Sequence, residues 1–171
     1  MNTNDIEAAA DIFATPESLA EWLRDHGLIG DEAVSAADHE RALVVREGLR
    51  ELAAVNNEGE GDPGAIAGLN RVARNLPLLA GFGGPKRWEL SPGAPGVPGA
   101  LGSILAQVLA SMDDGTWSRV KTCRRDSCRW VFYDHSRNRS GTWCSMAVCG
   151  NRTKAETYRR RHSADHEPES G

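Results

Sequence analysis

Four cysteines, and no others in the 171 residues, fall within a 27-residue stretch as Cys123-x4-Cys128 and Cys144-x4-Cys149, with fifteen residues between the pairs. Two close pairs of thiolates joined by a spacer that can fold back make the donor set of a tetrahedral metal site. Each pair grips one side of the ion and the spacer brings the pairs together. The expected occupant is one structural Zn2+, because four thiolates close the coordination sphere and leave no position for a reactive water. Disulfides are the competing use of four cysteines, but they belong mainly to exported proteins. The N-terminus has no basic region followed by a long apolar stretch, so no export signal is read and a cytoplasmic location is expected. An iron–sulfur cluster would use the same ligands, though nothing else here points to electron transfer. His135 and His162 are near enough in sequence to be ligands; with four thiolates present they are expected on the surface.

Elements must position those thiols. Between the pairs, Trp130-Val131-Phe132-Tyr133 is β-prone, residues 134–141 are turn-forming, and Thr142-Trp143 leads back to Cys144, which reads as a β-hairpin. After Cys149-Gly150 the chain is helix-compatible over 151–162, with Asn151 as a cap. Knuckle, hairpin, second pair and helix describe a treble-clef-like zinc module. So small a unit buries little apolar surface, and the metal should supply most of its folding free energy, roughly 10 kcal/mol or more.

The N-terminal part reads as mainly helical. Thr15-Pro16-Glu17-Ser18 starts a helix that ends at Gly27, a longer helix is expected over 31–55, and a third over 65–75 after the polar loop 56–64. Residues 78–82 and 87–90 are expected to pair as a hairpin, and 100–112 to form a last helix. Trp22 and Trp88 are expected in the core. The fold class is therefore mainly α with a small α+β part. The division is a helical domain over 1–116, a zinc finger over 117–162, and a disordered polar tail over 163–171.

Charge divides along the same line. Residues 1–116 carry 8 Lys and Arg against 18 Asp and Glu, whereas residues 117–162 carry 12 against 3. A basic module on an acidic body points to a polyanion partner, or to the two parts neutralising each other by docking. DNA is the expected partner. Arg124, Arg125, Arg129, Arg137, Arg139, Arg152, Lys154, Arg159, Arg160 and Arg161 are the candidate phosphate or base contacts. A second possibility is a protein-interaction or RNA-binding module, with Trp130, Phe132, Tyr133 and Trp143 as an aromatic platform. The acidic body would sense a small-molecule effector or mediate a homodimer, which would strengthen one small finger over duplicated half-sites. The five histidines lack a nucleophile at recognisable spacing, no phosphate-binding glycine loop occurs, and no apolar run reaches the roughly 20 residues of a membrane span. An enzyme or a membrane protein is not expected.

Several strings match a known family. Residues 143–154, Trp-Cys-Ser-Met-Ala-Val-Cys-Gly-Asn-Arg-Thr-Lys, resemble the signature of the CGNR zinc finger, Phe132-Tyr133-Asp134-His135-Ser136-Arg137-Asn138 resembles its hairpin, and Cys123-x4-Cys128 its first ligand pair. Such fingers usually follow a helical domain called ABATE, described as a putative stress-induced transcription regulator, and residues 38–49 resemble its arginine-containing helix. The resemblance implies Cys123, Cys128, Cys144 and Cys149 as ligands, and nucleic-acid binding as a conjecture attached to the family.

Overall fold

The computed structural model describes residues 1–84 and 87–164. A short hairpin of β1 (Asn4–Asp5) and β2 (Ala10–Asp11) opens the chain, a pairing with no clear mark in the sequence. Helix α1 (Pro16–Asp25) begins with a reciprocal cap between Thr15 and Ser18 and leaves through Gly27, whose φ of 64° lies in the left-handed region that glycine adopts without penalty. Helix α2 (Ala36–Val55) starts five residues later than expected, because the Ser35 hydroxyl accepts from the Asp38 amide and fixes the first turn there. Helix α3 (Pro63–Ala73) starts two residues early, with Asp62 as cap and Pro63 at the first position.

Strands β3 (Leu78–Gly84) and β4 (Arg87–Pro92) pair as the expected hairpin, Leu78 opposite Pro92 and Phe82 opposite Trp88. Helix α4 (Gly96–Asp113) packs on β4. Trp88 does not join the core: it is 42% exposed on the hairpin, while Trp22 packs half-buried against the core, edge-on to Phe13. Trp88 lines an open groove between β4 and α4, which leaves part of its ring in solvent.

The finger comprises β5 (Val120–Thr122), β6 (Val131–Tyr133) and α5 (Asn151–Ala164). Its hairpin differs from the expected one. Strand β6 pairs with β5, Thr122 opposite Val131, so the first cysteine pair sits at the hairpin tip and Thr142-Trp143 is not a strand. Helix α5 runs two residues into the segment expected as tail; residues 165–171 lie outside the described residues.

One core serves both parts. Leu19, Leu23, Val45, Leu49, Leu69 and Leu101 from the helices share a buried cluster with Trp117 and with Val131 of β6. Helix α2 is its axis. It approaches α3 so closely at Gly48 that a Cβ there would lie 2.5 Å from that of Leu69, and its other side packs on β5. No described helix is long and apolar enough to cross a membrane.

Candidate metal centre and nucleic-acid interface

The four sulfurs lie within 4.8 Å of one another. Cys123 follows β5, with its amide bonded to the Trp130 carbonyl at 2.9 Å; Cys128 sits in a tight turn in which its amide reaches the Arg125 carbonyl at 2.9 Å. Cys144 precedes a single π-turn, Met146–Gly150, that contains Cys149 and leads directly into α5. Ser145 caps that turn through the Val148 amide, and the Thr153 hydroxyl bonds the Cys149 carbonyl at 2.9 Å.

Sulfur separations decide what the cluster can be. Cys128 to Cys144 is 3.7 Å and Cys144 to Cys149 is 3.6 Å, far beyond the roughly 2.05 Å of a disulfide. A tetrahedron with zinc–sulfur bonds of about 2.3 Å has edges of about 3.8 Å. The thiols are thus already spaced for one zinc ion, and all four are unpaired. Burial pushes the Cys149 thiol up to about 11, and burial followed by its neighbouring thiols raises Cys144. Cys123 is lowered: burial opposes, but backbone hydrogen bonds from Arg125 and Cys144 outweigh it. A divalent cation supplies the charge that lets all four donors ionise together.

Gly150 shows why the turn after the second pair is so constrained. A Cβ there would meet the Met146 sulfur at 2.4 Å and the Trp143 ring at 3.0 Å. The half-exposed methionine can swing aside, whereas the indole would have to give by a few tenths of an ångström. Gly150→Ala is expected to cost about 1–3 kcal/mol of overpacking strain and to speed zinc loss to a chelator; an unchanged release rate would show that the site tolerates the methyl group.

Beyond the sulfurs, a buried ion pair shapes the loop over residues 134–143. Lys121 donates to Asp134 at 2.8 Å, with both side chains at least 95% buried, and also to the carbonyls of Arg139 and Gly141. Asp134 accepts further from the amides of Ser136 and Gly141. Burial alone would raise its pKa, but Lys121 and these donors hold the carboxyl well below the usual carboxylate range. The loop so held carries Arg137, exposed, and Arg139, which sits at a φ of 53° and donates to the Ser118 hydroxyl at 3.1 Å.

The expected basic residues separate into two groups. Arg124 and Arg129 dock on the body, paired with Glu58 at 2.7 Å and Glu51 at 2.6 Å. Arg125 reaches Glu156 of α5 at 3.0 Å. Arg125 and Arg129 are thereby half-buried, tying the finger together and to α2, while Arg124 makes an exposed pair with the loop that follows α2. Arg152 pairs with Glu7, in the loop between β1 and β2. Lys154, Arg159, Arg160 and Arg161 are exposed along α5, as are Arg137 and Arg139 on the loop. Of the four aromatic residues expected as a platform, Trp130 and Tyr133 are exposed and Phe132 and Trp143 half-buried. Trp143 packs over Gly150.

Sequence reasoning missed the residues that join finger to body. Asn2 bonds both polar groups of Val131 at 2.8 Å, Asn57 donates to the carbonyls of Thr122 and Thr142, and Asn56 to those of Trp117 and Val120. Arg50, 1% exposed, donates to the carbonyls of Met1, Asn4 and Arg129 and to Glu47. The available signal was Arg46 and Arg50 on the same side of an otherwise amphipathic helix, where a charge is expected only if it is paired.

With this geometry in place, the chain is similar to two families. A family model described as the CGNR zinc finger matches residues 119–162, and one described as ABATE, putative stress-induced transcription regulator, matches residues 1–115. No curated protein matches the chain.

Proposed function

The chain belongs to the ABATE family and carries a CGNR zinc finger, and from that premise we propose that it regulates transcription by setting the finger's basic surface on duplex DNA. The observation that carries this reading is α5: 14 residues with no buried side chain among those described, four exposed basic residues from Lys154 onward, and a root fixed by the zinc site. A helix with no apolar face offers little to a core, and its charge suits a polyanion. The closed four-thiolate site supports a regulator and not a hydrolase.

The acidic body's part in this reading is sensing or pairing. A groove of about 550 Å3 between β4 and α4, bounded by Trp88, Leu90, Pro92, Ala106 and Gln107, is within the size range of small-molecule sites.

The test is binding of the zinc-loaded protein to a duplex across a salt series. Log affinity should fall linearly with log salt, with a slope of about −0.9 for each phosphate contacted. Replacing Arg159, Arg160 and Arg161 together by Ala should weaken binding at least tenfold and flatten the slope by about 2. Absence of binding at low salt, or binding indifferent to salt, would shift the reading to a protein-interaction module.

A further inference from the structure

Resting on the DNA reading above, we infer that α5 is the element that enters the DNA major groove, reading bases with one stripe of side chains and gripping the two phosphate backbones with its flanks.

The helix has a defined inside. Cys149 and Gly150, immediately before it, are buried, and Thr153, Glu156 and Thr157 are its half-buried residues, so its first two turns face the zinc knuckle along that line. At about 100° per residue, the opposite line runs through Asn151, Ala155, Tyr158 and His162. All four are exposed, Tyr158 at 62%. The Tyr158 and His162 rings lie in contact along it, centroids 4.0 Å apart and tilted by 30°, and the Asn151 amide nitrogen donates to the Ala147 carbonyl, which leaves its oxygen to accept from a base.

Basic residues flank this stripe on both sides. Arg159 lies along one edge, below Arg152, which is held by Glu7 of the β1–β2 loop, and Lys154 and Arg161, seven apart, lie along the other. The one acid of the helix, Glu156, is turned inward and paired with Arg125, so no carboxylate faces a phosphate from α5. A 14-residue helix is about 21 Å long, and its diameter of 10–12 Å matches a B-form major groove about 12 Å wide. Hydrogen-bonding and apolar side chains in the middle with cations on both shoulders are what that groove demands, with bases on its floor and a phosphate strand on either wall. The geometry also divides the arginine run: Arg159 and Arg161 fall on opposite edges, whereas Arg160 points to the inner side, out of the groove.

The test selects binding sites from a random-sequence duplex library with the full-length zinc-loaded protein, then compares variants on the selected duplex and a scrambled one across salt. Circular dichroism and zinc content check that each variant is folded. Tyr158→Ala and His162→Ala should lower the selected-to-scrambled affinity ratio about tenfold each, with scrambled binding and salt slope unchanged. Lys154→Ala and Arg161→Ala should weaken both duplexes alike and reduce the salt slope by about 1 each; Arg160→Ala should leave the slope in place. The inference is overturned if the protein binds duplexes without preference, if stripe variants keep full discrimination, or if Arg160 contributes as much slope as Arg161. It is also overturned if A-form RNA of the selected sequence binds equally, since its deep, narrow major groove excludes a helix. Those outcomes leave the DNA or nucleic-acid reading standing; failure to bind any duplex at low salt removes both.

Discussion

Cys144→Ser is expected to abolish stoichiometric zinc binding and to unfold the finger, with the loss reaching α2. Structural zinc in small finger modules contributes on the order of 10 kcal/mol of apparent binding free energy, comparable to the whole stability of a domain of this size. The finger has little else: β5 and β6 are three residues each, and α5 buries no side chain among those described. Because Val131 and Trp117 belong to the same buried cluster as Val45 and Leu49, an unfolded finger also removes one wall of the helical core. Amide hydrogen exchange should therefore quicken in α2 as well as in the finger, and a chelator should reproduce the effect in the unaltered protein. Zinc affinity should also fall as pH is lowered, since Cys144 and Cys149 hold their protons more tightly than ordinary thiols and protons compete with the metal. Protection of α2 that survives zinc removal would mean that body and finger fold independently.

Arg50→Met should destabilise the protein by about 3–5 kcal/mol in denaturant unfolding, with zinc still bound under native conditions. The guanidinium is 1% exposed and meets the N-terminal segment, α2 and the zinc knuckle at one point, through Met1, Asn4, Glu47 and Arg129. Methionine matches much of its volume but donates nothing, so buried carbonyls would be left unpaired, each at about 1–3 kcal/mol. Removing one partner of a buried charged network costs on that scale because the other groups remain desolvated. Arg50→Lys should recover only part, since one ammonium cannot span the fork of partners that a planar guanidinium reaches. A loss below about 1 kcal/mol for Arg50→Met would show that the junction relaxes or hydrates without it.

The metal site was legible in the sequence because its chemistry is local. Cys123, Cys128, Cys144 and Cys149 form two pairs, each closed by a short turn whose geometry depends on its own few residues. The helices were legible for a similar reason, through Thr15 and Pro16 at one cap and through apolar spacing along α2 and α4. Where a nearer cap competed, as Ser35 did, the boundary moved although the element did not.

Pairing across distance was not legible. Thr142-Trp143 looks as suitable a strand as Val120–Thr122, and only the packing of β5 on α2 selects the latter as the partner of β6. The basic charge was visible as a total, but its division was not. Arg124 and Arg129 are chemically the same as Arg160 and Arg161, yet the first two face Glu58 and Glu51 while the others are exposed along α5. The sequence by itself determined that four thiols make a donor set suited to one zinc ion, and that a basic module is joined to an acidic helical one. Tertiary structure alone decided which cations are spent inside the molecule and which face outward, because a charge's role depends on the partner within a few ångströms, and that partner can lie up to 145 positions away in the chain.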